Sequence, residues 1–166
     1  MKKLMQFSML AICCLGLFGC PYESQVPISQ PSVPVDTRFL GKWSSKDEVY
    51  NTYVVTKATE TEYKILQQNI SNTAKYTGFL SEVKGGLFMN LQSDSTGTYY
   101  LYRVKMDPKG NKFVFVPLAE NLPDHFGSMD GLRNYLEKNM NFQSLYNEAD
   151  KTEFEKIQDN STVFNN

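Results

Sequence analysis

The chain has 166 residues, 17 basic and 18 acidic side chains, a formal charge of −1, and 41% hydrophobic and 13% aromatic residues. Its charges are mixed, and no basic patch is interleaved with aromatics, which removes nucleic acid from the expected partners. The length suits one domain and is short for two typical ones, and no fixed-period repeat is present.

Met1-Lys2-Lys3 is a positive start, Leu4 to Phe18 is an uncharged apolar run, and Gly19 is small. That order reads as a secretory signal over residues 1–19, and the run is shorter than the roughly 20 residues that comfortably span a bilayer. Leu17-Phe18-Gly19-Cys20 resembles the lipobox of bacterial lipoproteins. The resemblance implies that Cys20 is acylated and becomes the mature N-terminus, so that the first partner is a membrane, reached through acylated Cys20. It also implies a place in the cell envelope. Pro21, not Asp, follows the cysteine, which in the same family points to the outer membrane of a Gram-negative cell. One acyl chain holds a protein only marginally; the two or three that the resemblance implies would hold it stably. Cleavage would remove Cys13 and Cys14, excluding an internal disulfide, a Cys-based zinc site or a Cys nucleophile. It would also remove Lys2 and Lys3, so the 17 basic residues fall to 15 against 18 acidic ones, a charge of −3.

Residues 20–37, the lipidated Cys followed by PYESQVPISQPSVPVDT, hold four of the seven prolines. Proline disfavours both helix and central strand, so this stretch reads as an extended tether with a reach of about 50 Å. The alternative is that Val26, Ile28 and Val33 pack along the folded body and help plug one end of it.

The body, residues 38–166, reads as strands bounded by turn formers. They are expected at residues 40–45, 49–57, 62–68, 75–83, 87–92, 98–106, 112–118 and 152–157. The short connections at Lys84-Gly85-Gly86, at residues 93–97 and at Asp107-Pro108-Lys109-Gly110 demand antiparallel hairpins. Period two puts Tyr63, Ile65 and Gln67 on one face, likewise Leu87, Met89 and Leu91, and likewise Tyr100, Tyr102, Val104 and Met106. Phe113-Val114-Phe115-Val116 is apolar on both faces and needs a cover. Ser128 as N-cap, Asp130 in the first turn, and Leu132, Tyr135, Leu136 and Met140 as one stripe predict that cover as a helix over residues 129–139. The fold class expected is mainly β: about eight strands in an antiparallel up-and-down barrel with one C-terminal helix packed outside. At eight strands the interior either fills with side chains or holds one small ligand.

Gly41-Lys42-Trp43, just after the Pro-rich stretch, resembles the G-x-W motif that opens the first strand of lipocalins. The resemblance implies a lipocalin-like barrel with Trp43 plugging its closed end; a plain core aromatic would be buried as well. The lipocalin arginine that packs on the Trp has no counterpart legible in the sequence.

The chain carries little material for chemistry. His125 is its one histidine, and beside Asp124 in Leu122-Pro123-Asp124-His125 it reads as a helix-entry loop residue before it reads as a general base. Zinc needs three or four ligands. Asp47-Glu48, Glu60/Glu62 and Glu153/Glu155 read as solvated carboxylates. Nucleophile-elbow, phosphate-loop and dinucleotide motifs are missing. No catalytic residue, no metal site, no cofactor and no enzymatic activity are expected. The tyrosines Tyr50, Tyr53, Tyr63, Tyr76, Tyr100 and Tyr102 all fall on expected strands. Tyr53, Tyr63, Tyr100 and Tyr102, with Met89, are the candidate lining of an amphipathic cavity for a hydrophobic small molecule or lipid; a filled core is the alternative. The function expected is therefore a non-catalytic envelope lipoprotein that binds such a ligand. The alternative is a structural or assembly lipoprotein with a packed core, whose protein partner the sequence leaves unassigned.

Overall fold

The computed structural model describes residues 22–46, 50–123 and 126–157. Cys20 and the signal segment 1–19, the pair Asp47-Glu48, and Asp124-His125 lie outside the described residues.

Among the described residues nine strands and one α-helix follow one another. A two-residue strand, β1 (Glu23–Ser24), comes first. Then come β2 (Gly41–Ser45), β3 (Thr52–Lys57), β4 (Glu62–Gln68), β5 (Thr73–Val83), β6 (Gly86–Ser93), β7 (Tyr99–Met106) and β8 (Lys112–Pro117). The helix α1 (Met129–Asn139) precedes β9 (Thr152–Lys156). Strands β2 to β9 pair with their chain neighbours, all antiparallel, and β9 returns to β2. The result is a closed eight-stranded up-and-down barrel, with β1 added outside the ring. Closure leaves no free sheet edge in the ring.

Local chemistry explains the hairpins and the helix. Lys84 and Gly85 both have positive φ, 46° and 78°, between the paired Val83 and Gly86. That is the two-residue turn whose twist matches a hairpin. At the helix, the Ser128 hydroxyl accepts from Gly131 N–H at 3.1 Å, and Asp130 complements the helix dipole in the first turn.

Apolar residues divide by strand alternation. Phe113 and Phe115 turn inward, where they meet Trp43, Leu80 and Phe154. Val116 turns outward and is covered by Leu132 and Leu136 of α1, beside Phe88 and Leu101.

The Pro-rich stretch is not a free tether over its described part. Residues 22–36 run down the outside of the barrel, with Tyr22 and Ile28 buried against the face that α1 covers. Val33 and Val35 pack against the barrel core at the other end. Proline denies this stretch regular secondary structure but not burial, and fixed φ lowers the entropy lost when it docks. Asn90 is the clasp. It is fully buried on the outward side of β6, its side-chain oxygen accepts from Ile28 N–H at 2.8 Å, and its amide nitrogen donates to Ser81 Oγ at 2.8 Å. Asn90→Ala leaves the buried Ile28 N–H without its acceptor and takes one of two partners from the Ser81 hydroxyl, which keeps Ser29. A loss of about 1 to 3 kcal/mol in equilibrium unfolding is expected, with faster proteolysis inside residues 22–36.

The strand β1 exists because of a gap. β8 ends at Pro117, opposite Tyr102; Leu118 N–H still donates to Leu101 O at 3.1 Å, and beyond that bond the chain leaves β7 and bridges to Tyr146 instead. The edge of β7 beyond it, Tyr99 and Tyr100, is taken by Ser24 and Glu23. The N-terminal stretch thus completes the barrel wall at that end.

Candidate functional site

One end of the barrel is sealed. A 3-10 turn at Thr37–Phe39 lies across it, capped by the Asp36 carboxylate, which accepts from Arg38 N–H at 2.9 Å. Arg38 pairs with the same carboxylate at 2.6 Å and holds Asp36 below its ordinary range. Trp43 is fully buried beneath the turn; its indole N–H donates to Phe39 O at 2.7 Å, and its ring meets Phe113 edge-on at 4.6 Å. The Lys156 ammonium lies 5.1 Å from the Trp43 ring centre and donates to Arg38 O at 3.2 Å. It ties turn, indole and last strand together by a cation–π contact and a hydrogen bond. Gly41 has φ of 120°, and a Cβ there would sit 3.1 Å from the Lys156 side chain, so a glycine two residues before Trp43 is required twice over.

Tyr63 belongs to this seal. Its ring is fully buried against Phe39 at 5.8 Å, and its hydroxyl accepts from Asp36 N–H at 2.7 Å. It is not in the cavity lining. Of the candidate residues it alone lies below the cavity, because depth along the strand, not face, decides which inward tyrosine meets open space. Burial pushes its hydroxyl up to about 12, with the Asp36 N–H working in the opposite direction. The unfolded value is about 10. A raised value means that this stability is fully present below pH 10 and is lost as pH rises through 12, by about 2 to 3 kcal/mol. Stability measured from pH 9 to 12 should fall, and Tyr63→Phe should shrink that fall.

The other end is open. Above the seal lies a cavity of about 340 Å³. Phe39 and Phe113 floor it, and Val55, Ile65, Met89, Phe115 and Phe154 form its apolar wall. Toward the mouth stand Tyr53, Gln67, Tyr76, Tyr100 and Tyr102, all half-buried, with Leu91, Thr152 and Glu23. Gln67 links two of the hydroxyls: its amide donates to Tyr53 Oη at 3.3 Å, and its oxygen accepts from Tyr76 at 3.2 Å. The Tyr100 hydroxyl faces Glu23 Oε1 at 3.5 Å. Gly78 lets its neighbours close over the strand: a Cβ there would come within 2.9 Å of the Ile65 side chain and 3.2 Å of Met89 sulfur. The cavity is apolar at depth and hydroxyl- and amide-lined at the mouth, and Glu23 is the one charged side chain among its lining residues.

Tyr53, Tyr100, Tyr102 and Met89 therefore line one cavity. Tyr50 does not join them. It stands in a turn ahead of β3, 72% exposed, because the strand begins at Thr52 and not at residue 49. Glu23 had no signal as a site residue, since its strand is invisible in the sequence; Gln67 was grouped with Tyr63 and Ile65 on one face by period two, but nothing in the sequence singled it out as a site residue.

Among the described carboxylates, Glu60, Glu153 and Glu155 are open to solvent. Lys46 and Lys112 hold Glu153 and Glu155 below their usual range, the opposite of what a proton donor near neutral pH needs. Glu60 pairs with Lys57. Among the described residues no group of three or more His, Cys, Asp or Glu side chains could hold a metal ion. The chain matches no protein-family model, no curated protein and no solved structure.

Proposed function

We propose that this protein is a non-catalytic envelope lipoprotein, held in the membrane by acylated Cys20, that carries one hydrophobic or amphiphilic molecule inside its barrel. The observation that carries the reading is the cavity: about 340 Å³, within the range of small-molecule sites and at its lower end, greasy below and polar at the rim. At about 30 Å³ for a water-sized group, it holds about eleven such groups. That is one medium-length acyl chain, not two. The rim hydroxyls and Gln67 suit a neutral or zwitterionic head, and Glu23 disfavours an anionic one.

The lipocalin-like reading has the same support. Trp43 at the sealed end, the turn at Thr37–Phe39 across it and the Lys156 cation on the indole form one plug; lysine stands where the motif led one to look for arginine. If the source is Gram-negative, Pro21 after the cysteine favours the outer membrane. The mature protein needs no cofactor in this account.

Displacement of N-phenyl-1-naphthylamine by 1-alkanols of increasing length tests the cavity. Each added methylene is worth about 0.8 kcal/mol, so affinity should rise about fourfold per carbon and level off near ten to twelve carbons. A flat series, or no probe binding, would refute the carrier reading and favour a packed-core assembly role. The anchor has its own test: metabolic labelling with an alkyne palmitate should mark wild type and spare Cys20→Ala. Equal labelling of both would remove it.

A further inference from the structure

The start of the described chain and the mouth of the cavity are the same place. Glu23 both lines the cavity and pairs with Tyr100 at the mouth end of β7. Tyr22, one residue earlier, is 8% exposed and fixed against the outer face of the barrel. Cys20 is two residues before Tyr22. A chain advances at most about 3.6 Å per residue, so the acylated sulfur can stand only about 10 Å from the rim. The sealed end is far away. β6 and β7 each have 8 residues; at about 3.3 Å per residue and a barrel tilt of about 40° they separate the two ends by about 20 Å.

A second observation lies at the same end. The connections β2–β3 and β4–β5 both leave the barrel at the mouth, since β2 and β4 run from the seal toward it. They carry Tyr50, 72% exposed, and Ile70, 84% exposed, the two most exposed large hydrophobic side chains among the described residues. Ile70 caps an uncharged turn, Asn69-Ile70-Ser71-Asn72, held by Asn69 Oδ1 accepting from Asn72 N–H at 2.6 Å. Charge stands at both ends, at Arg38, Lys84, Asp107 and Lys109 by the seal and at Lys46 and Asp94 in the mouth connections, with Asp47 and Glu48 following Lys46 in sequence, so it is the exposed apolar tips that set the mouth apart. Ile157, exposed at 38%, stands by the seal, where its N–H donates to Lys42 O at 2.9 Å, and Phe142, exposed at 59%, follows α1.

We infer that the barrel sits mouth-down on the lipid surface, with Tyr50 and Ile70 dipping into the head-group layer, so that its ligand is a single-chain lipid exchanged directly with the bilayer. The inference rests on acylation of Cys20. A greasy anchor and apolar tips on one rim are two signals acting at one point, the combination that makes surface attachment stable. The docked stretch 22–36 matters here: a free tether would let the mouth face any direction.

The test uses the full lipidated chain in phosphatidylethanolamine–phosphatidylcholine vesicles carrying head-group-proximal doxyl lipid. Bimane is placed at the mouth by Ile70→Cys or at the seal by Lys109→Cys. The expected result is strong quenching at position 70 and none at position 109, whose fluorophore stands about a barrel length from the surface. A flexible Gly/Ser insertion of about 20 residues between Pro21 and Tyr22, spanning roughly 25 Å, should lower the quenching at position 70. Equal quenching at both positions, or more at 109, would overturn the orientation while leaving the anchor intact. Failure of the chain to float with the vesicles would remove the anchor, and the orientation with it.

Discussion

Trp43→Ala is expected to cost about 3 to 5 kcal/mol in equilibrium unfolding, the range for emptying a large aromatic site in a core. Three losses coincide. The indole is fully buried and packs on Phe113 at 4.6 Å, so its removal leaves a hole that the barrel wall cannot close. The Phe39 carbonyl loses its donor, which stood at 2.7 Å. The Lys156 ammonium loses the ring beneath it and keeps only the Arg38 carbonyl. Trp43→Phe restores part of the packing and neither of the other two contacts, so it should fall between wild type and Trp43→Ala. Urea titration followed by far-ultraviolet circular dichroism reads all three. A shift below about 1 kcal/mol for Trp43→Ala would mean that the seal does not depend on this residue.

Leu91→Trp separates a hollow barrel from a full one. Leu91 is half-buried and lines the cavity; it lies across from Gly78, over which Ile65 and Met89 pack, so a larger ring at position 91 must extend into the cavity itself. In a hollow barrel the larger ring enters open space. Stability should then change by less than about 1 kcal/mol, because nothing is overpacked. Ligand binding should suffer instead. Excluding about four methylenes at about 0.8 kcal/mol each weakens it by about 3 kcal/mol, more than a hundredfold. In a packed barrel the same ring would cost about 1 to 3 kcal/mol of stability, with no binding to lose. The two measurements move in opposite directions under the two readings, which makes the single variant decisive.

The barrel was legible because its elements announce themselves. The eight ring strands and α1 are bounded by Gly, Asp, Asn and Pro turns, and their inward and outward residues alternate without a break in register from β4 to β7. Edges were less legible. β5 extends back to Thr73, and β3 starts at Thr52, because ladder partners rather than propensity decide where a strand stops. β1 had no signature at all. Two residues in a Pro-rich stretch become a strand only because β8 stops at Pro117 and leaves Tyr99 and Tyr100 with an open edge.

The same distinction runs through the site. Period two correctly groups Tyr53, Tyr63, Tyr100 and Tyr102 as inward residues, but it says nothing of depth. Tyr63 is paired with Gly78 near the sealed end and stacked under Phe39, so it became part of the plug. The aromatic wall from Phe113, Phe115 and Phe154 was visible as apolar sequence, yet its ring contacts of 4.6 to 5.3 Å depend on β8 pairing with β9 across the helix. Lys156 carries no sequence signal as part of the seal; only the pairing of β9 with β2 brings it beside Trp43.

Native mass spectrometry of the mature protein, released gently from its membrane, addresses the carrier reading most directly. The account predicts a one-to-one adduct with the mass of a single-chain lipid, retained by wild type, lost from Leu91→Trp and restored by adding the lipid back to wild type. A wild-type protein that carries no adduct, and takes up none when single-chain lipid is supplied, would contradict it.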